Sequence, residues 1–125
     1  MIQEAYCSYE IAKLLKEKGF SEPCFYYYKD KVLMFSPILK GRNSYQTDTY
    51  SAPTHQMAMK WLRIEHNILL FLLPAQENGK IVYLVEVWTW NEEEGIYEST
   101  YAPMPRKEPE QAIEAALKYS LKNLV

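Results

Sequence analysis

The apolar residues near the start of the chain recur every three or four positions, which is the spacing of one face of an α-helix. This stripe consists of Ile11, Leu14 and Leu15. Ser8 precedes it and predicts the N-cap, because a serine hydroxyl accepts a hydrogen bond from a free N–H of the first turn. Gly19 predicts the end of the helix, with Phe20 packing back on Leu15 in a Schellman motif.

Two short runs of apolar and aromatic residues follow, 24–29 and 31–36, and both predict strands. Lys29-Asp30-Lys31 between them predicts a tight hairpin. Alternation along the first run places Phe25 and Tyr27 on one face of the sheet. The other face receives Cys24, Tyr26 and Tyr28. The polar residues 37–51 predict either a long loop or a loop followed by a short strand that ends near Tyr50.

Helical spacing returns in residues 54–67, with Pro53 or Thr54 at the start and Asn67 at the end. Asn tolerates the left-handed conformation in which many helices end. The apolar face predicted for this second helix is wide and comprises Met57, Ala58, Trp61, Leu62 and Ile64.

The second half of the chain alternates again before a final helix. Residues 68–73 predict a strand, and Asn78-Gly79 predicts a hairpin whose connection, from Pro74 to Gly79, is longer than two residues. Residues 80–90 are apolar on both faces, which favours a central strand, and residues 96–101 predict its partner. Pro109 is expected near the start of the last helix. Its apolar face is Ile113, Ala116, Leu117, Ser120, Leu121 and Leu124.

These elements predict one α+β domain over residues 1–125, with about three helices packed on a mainly antiparallel sheet. The predicted order is α-β-β-(β)-α-β-β-β-α, the strand in parentheses being the one near Tyr50. Tyr50-Ser51-Ala52-Pro53 and Tyr101-Ala102-Pro103 each precede a helix. This weak similarity between the two segments raises the hypothesis of an internal duplication.

Composition and net charge limit the kinds of molecule that this protein is expected to bind. Aromatic residues make up 14% of the 125 residues, with 11 Tyr, and the net charge is −2. A protein that neutralises many phosphates needs a basic surface, so nucleic acid is not an expected partner. We expect a cytoplasmic protein without a membrane contact, because the N-terminus has no secretory signal and no apolar run approaches the roughly 20 residues of a membrane span.

The residues that could carry chemistry are sparse. His55 and His66 lie about 16 Å apart on one helix, too far to share a metal ion, and each is expected at the surface near a helix end. A Cys–His nucleophile pair would require Cys7 or Cys24 to lie beside one of them in space, and nothing local demands that. We therefore expect no catalytic residues, no metal site and no cofactor, which favours a non-enzyme.

The remaining candidate site is a group of aromatic residues: Tyr26, Tyr27, Tyr28, Trp88 and Trp90. If helices cover one sheet face, alternate aromatic residues lie on the other, where a contiguous patch binds a partner. The other interpretation is that the tyrosines cover a sheet face with their hydroxyls in water. The leading hypothesis is a non-catalytic interaction module that binds a second copy or another protein. The alternative is a small-molecule-binding protein or enzyme with a pocket between sheet and helices.

Residues 52–68, APTHQMAMKWLRIEHNI, resemble a group of small proteins of unknown function from gut bacteria and their phages or mobile elements. Proteins of that group share an Ala-Pro-Thr opening and a Trp-Leu-Arg helix that ends in His. The segments KEKGF, residues 16–20, and EAALKY, residues 114–119, are also similar. The resemblance implies an α+β fold and an origin in a phage or mobile element, and it brings no activity or site residues.

Overall fold

The computed structural model describes residues 2–125, which form three α-helices, a short 3₁₀ helix and six strands. The elements are α1 Tyr9–Glu17, β1 Cys24–Lys29, β2 Val32–Lys40, the 3₁₀ helix Arg42–Ser44, β3 Thr49–Ser51, α2 His55–His66, β4 Ile68–Glu77, β5 Lys80–Asn91, β6 Ile96–Ser99 and α3 Pro109–Asn123. The α+β class, the antiparallel pairing and the element order are confirmed. The strands of this described part form two three-stranded sheets, β2-β1-β3 and β4-β5-β6.

The contacts within the chain group it into two compact units. The first unit ends at Ala58, and the second is Met59–Val125. Helix α2 begins in the first unit and continues into the second. Each unit contains one of the two sheets, and the expectation of a single domain over residues 1–125 stays a prediction.

Helix α1 begins and ends as its sequence predicts. The Ile11 N–H donates to Ser8 Oγ at 3.3 Å, which caps the first turn. At the other end Gly19 has φ +96°. The Gly19 N–H donates to the Lys16 carbonyl and the Phe20 N–H to the Leu15 carbonyl, at 3.2 and 2.9 Å. These two bonds are those of a Schellman motif, so that prediction is confirmed.

The first sheet has β1 at its centre and β2 and β3 at its edges. The hairpin turn is two residues long, with positive φ at both Asp30 and Lys31, which matches the twist of the flanking strands. Strand β2 runs through Pro37 to Lys40, beyond the predicted end at position 36. An edge strand tolerates proline, because the missing N–H can lie on the unpaired side. Of the two predictions for residues 37–51, the loop followed by a short strand is correct.

The second sheet has β5 at its centre, as its apolar faces predict. Strand β4 continues through Pro74 to Glu77, because this edge strand can also accommodate a proline. The connection to β5 is therefore the two-residue turn Asn78-Gly79, with φ of 52° and 76°. The predicted longer connection is wrong.

Helices α2 and α3 also follow local signals. Thr54 Oγ1 accepts from the Met57 N–H at 3.2 Å, and Asn67 has φ 56°, as expected for the residue that ends α2. The predicted apolar face of α2 is too wide, because Met57 and Ile64 are exposed. Pro109 is the first residue of α3, and Glu108 and Gln111 form a capping box.

The order β-β-β-α occurs twice along the chain. The strand orders differ, since the first strand is central in one sheet and the second strand is central in the other. The two halves of the chain therefore share the order of their elements, as an internal duplication predicts, but they differ in how their strands pair.

Candidate interaction surface

The predicted aromatic residues belong to two different sheets. Tyr26, Tyr27 and Tyr28 lie in β1 of the first sheet, whereas Trp88 and Trp90 lie in β5 of the second. The sequence alone predicted one aromatic sheet face, and each group is therefore described within its own sheet.

Tyr26 and Tyr28 are covered by other tyrosines. The ring centroid of Tyr6 lies 4.2 Å from that of Tyr26, and the ring centroid of Tyr9 lies 5.7 Å from that of Tyr28. The Tyr28 hydroxyl donates to the Cys7 carbonyl oxygen at 2.8 Å. This face of β1 is packed, and its tyrosines are half-buried.

Tyr27 lies on the opposite face of β1, as alternation predicts. The guanidinium carbon of Arg42 lies 3.9 Å from the centroid of its ring. At that distance the planar cation stacks on the aromatic face. Tyr27 therefore packs against Arg42 within the first unit.

One face of the second sheet is buried over part of its length, whereas Leu72, Ile81 and Ile96 on the same face are exposed. Ile68, Val85 and Val87 are almost fully buried, and they share a face because Val85 and Val87 alternate along β5 while Ile68 is paired with Thr89. Helix α3 packs against both β4 and β5. This face carries part of the core of the second unit.

The other face of the second sheet is partly exposed. Register places nine apolar side chains on it, of which Val82 is buried and Ala75 is small. We call the other seven the open face: Leu69, Phe71, Leu73, Leu84, Trp88, Trp90 and Tyr97. Phe71 is 47% exposed, Trp90 40% and Tyr97 38%. The rings of Trp90 and Tyr97 meet edge to face with centroids 5.0 Å apart. The Tyr97 hydroxyl donates to Asn67 Oδ1 at 3.2 Å, which orients that ring.

The exposed area of this face is large for one chain. Phe71, Leu73, Trp90 and Tyr97 together leave about 350 Å² in contact with water, since a large aromatic side chain carries roughly 150–250 Å². The largest apolar patch of a typical monomer is about 300–600 Å² and often functional. The open face reaches that size before its half-buried members are counted.

The sequence identified Trp88 and Trp90 of the open face and missed Leu84 and the residues contributed by β4 and β6. Phe71 and Leu73 lie in the continuous apolar run ILLFLL, residues 68–73, which shows no alternation. Such a run is typical of a strand buried on both sides. Only the register with β5 shows which of its residues remain exposed.

Strand β2 is a second exposed apolar region that was missed. Leu33 and Phe35 lie opposite Tyr28 and Tyr26, and Met34 lies opposite Tyr27, so exposed apolar side chains occur on both faces of this edge strand. Exposed apolar edge strands pair readily with other chains. The signal in the sequence was the run VLMF beside a turn.

The first unit also contains a concave pocket of about 270 Å³. Its lining includes the stacked Tyr6 and Tyr26, the Cys24 thiol and Glu4. Burial raises the pKa of Tyr6, and the neighbouring Tyr26 and Glu4 raise it further. Burial, with a smaller contribution from Glu22, raises the pKa of Cys24 to about 11. At neutral pH this thiol is protonated, and a protonated thiol is a poor nucleophile.

The structure brings Cys7 and His55 together. The Cys7 Sγ and a ring nitrogen of His55 lie within 4.8 Å of each other. The prediction that His55 lies at the surface is wrong, because its side chain is only 5% exposed. Its backbone N–H donates to the Ala5 carbonyl at 2.9 Å, which holds the start of α2 beside the N-terminal segment. Cys7 is fully buried, so no substrate can reach its sulfur in this conformation.

Comparisons of the chain with models of known protein families, with curated proteins and with solved structures found no match. None of the helices within residues 2–125 combines the length and the apolar character that crossing a membrane requires.

Proposed function

We propose that this protein is a non-catalytic interaction module that forms a homodimer by packing the open faces of two copies together. The observation that supports this proposal is the clustering of three partly exposed aromatic side chains, Phe71, Trp90 and Tyr97, on one side of the second sheet. Aromatic residues supply much of the binding free energy at protein interfaces. The resemblance of residues 52–68 supports an origin of the module in a phage or mobile element.

The charges of the chain are compatible with self-association. A net charge of −2 produces little repulsion between identical copies. Register places Glu86 on this face of the sheet opposite Phe71, and at one end of the same face Lys80 pairs with Glu77, so the face carries no excess of positive charge. A basic surface for nucleic acid is therefore missing from this part of the described chain. The open face is better suited to bind another apolar protein surface.

Sedimentation velocity over a range of protein concentrations tests the proposal. The wild-type protein should sediment as a mixture of one-chain and two-chain species whose proportions depend on concentration. Phe71→Glu should weaken the dimer more than a hundredfold, because burying an unpaired carboxylate costs several kcal/mol. Trp90→Ala should weaken it about tenfold, as expected for an aromatic residue at the centre of an interface.

Ile81→Glu is the matched control. Ile81 is an exposed apolar residue of the same sheet that alternation places on the other face, so this variant should dimerise like the wild type. Circular dichroism should show that all variants fold. A wild-type protein that stays monomeric at every concentration would refute the proposal. So would a dimer that survives Phe71→Glu and is abolished by Phe35→Glu, since that result would assign the interface to β2.

The pocket of about 270 Å³ favours a second candidate function, the binding of a small apolar or aromatic molecule. Its volume exceeds the roughly 150 Å³ that suffices for benzene in a dry cavity, and Tyr6 and Tyr26 offer ring faces for stacking. A ligand of this class should raise the melting temperature of the wild type and not that of Tyr6→Ala, which removes one of the two stacking rings. Equal shifts in both proteins would exclude this site.

A further inference from the structure

A second cavity in the first unit, of about 250 Å³, has a different chemical character. It is lined by Tyr27, Lys29, Arg42, Gln46, Asp48 and Thr49. Lys29 and Arg42 contribute two positive charges and Asp48 one negative charge, so cations outnumber anions in the lining. The open face and this cavity share no residue.

Arg42 is the unusual member of this lining. Its side chain is only 6% exposed, although the guanidinium group is charged at every physiological pH. Its Nη1 atom is buried and has no hydrogen-bond partner within residues 2–125. A buried polar atom without a partner costs roughly 1–3 kcal/mol, and more when it is charged. Stacking on Tyr27 stabilises the plane of the guanidinium and leaves this donor unsatisfied.

The backbone around Arg42 is held by several hydrogen bonds. The Asn43 side chain donates to the Phe20 carbonyl oxygen and accepts from the Ser51 N–H, at 3.0 and 2.9 Å. Lys16 Nζ donates to the carbonyl oxygens of Gln46 and Thr49. The 3₁₀ helix and the loop that follows it are thereby fixed to α1 and β3, which places the lining groups before any ligand arrives.

The side-chain amide nitrogen of Gln46 can donate hydrogen bonds to a ligand. Its Oε1 accepts from the Thr49 hydroxyl at 2.7 Å, which leaves its Nε2 hydrogens for another partner. A guanidinium, an ammonium and an amide N–H₂ around one cavity are the groups that bind oxyanions in proteins. The carboxylate of Asp48 opposes such a ligand and limits its affinity.

We infer that this cavity is a binding site for a small oxyanion, a phosphate or carboxylate group carried by a small molecule. The oxyanion accepts hydrogen bonds from the Arg42 guanidinium, and Lys29 and Gln46 contribute further donors. The volume admits the anionic group together with a small attached moiety. This inference is independent of the dimer proposed above.

Nuclear magnetic resonance titration of the full chain with inorganic phosphate at constant ionic strength tests the inference. The side-chain signals of Arg42 and Gln46 should shift in a saturable manner. Asp48→Asn removes the opposing carboxylate and should tighten phosphate binding about threefold. Lys29→Gln should weaken it by a similar factor. A parallel titration with acetate distinguishes the two ligand classes, since a stronger response to acetate would assign the site to carboxylates.

Lys31→Gln is the matched control for charge. It removes the same charge from the same hairpin, at a turn position that does not line the cavity, and should leave the titration unchanged. Arg42→Lys should abolish saturation or weaken it about tenfold, because an ammonium lacks the planar fork of donors. The absence of a saturable shift with either anion would overturn the inference. The same holds if the Asp48, Lys29 and Lys31 variants give identical curves.

Discussion

Asn43 provides the sharpest test of how the first unit is held together. Strand β3 is an edge strand, so every second N–H along it points away from β1. The Ala52 N–H donates to the Tyr26 carbonyl at 3.0 Å, whereas the Ser51 N–H points the other way and donates to Asn43 Oδ1. Asn43 Nδ2 in turn donates to the carbonyl of Phe20, the residue that follows the end of α1. One side chain therefore joins α1, the 3₁₀ helix and β3.

The cost of Asn43→Ala follows from these contacts. Two hydrogen bonds are lost, each contributing about 0.5–1.5 kcal/mol. Ser51 is only 1% exposed, so its N–H is left buried and unpaired, which adds roughly 1–3 kcal/mol. We expect the free energy of unfolding to fall by about 3 kcal/mol. For a chain of this size the melting temperature should drop by about 12 °C.

Urea denaturation followed by circular dichroism measures this loss, and amide exchange reports it locally. The Ser51 amide should be protected in the wild type and should exchange rapidly in Asn43→Ala. Asn43→Asp retains the acceptor for Ser51 while removing the donor to Phe20, and should cost less than the alanine variant. Asn123→Ala removes a single exposed bond to the Tyr119 carbonyl and should cost under about 1 kcal/mol. Equal losses at positions 43 and 123, with an unchanged Ser51 amide, would refute the reasoning.

Three further changes should have measurable effects. Lys31→Gly should stabilise the protein by about 1 kcal/mol in urea, because position 31 has φ 64° and a β-carbon is strained there; a loss of stability would contradict this. Leu117→Ala should cost about 2–5 kcal/mol in the same assay, because this side chain is fully buried and its removal leaves a cavity; a loss below 1 kcal/mol would show that α3 contributes little to the core. Cys24 should react slowly with iodoacetamide at pH 7 and faster towards pH 11, and fast reaction at pH 7 would contradict its raised pKa. Because the folded-state pKa is raised above 9.0, this thiol's contribution to stability is full below pH 9 and is lost between pH 9 and about 11, where the unfolded chain ionises first.

Local sequence signals suffice for the elements whose boundaries depend on neighbouring residues. Ser8 caps α1, Asn67 ends α2 and Asn78-Gly79 forms the turn between β4 and β5. Each of these depends on a hydroxyl within three positions of its partner or on a residue that tolerates positive φ. Such preferences are expressed in a few consecutive residues, and a single sequence contains all the information they require.

Which apolar residues face water depends on contacts between parts of the chain that are distant in sequence. Phe71 and Leu73 lie in a run that is apolar at every position, and register with β5, not composition, places them on the open face. The division of the strands into two sheets has the same cause, because hydrogen bonding between strands depends on residues distant in sequence. Arg42 is the clearest case. Arginine is rarely buried, and its enclosure beside Tyr27 arises from α1, β1 and β3 meeting around a loop whose own sequence is mostly polar.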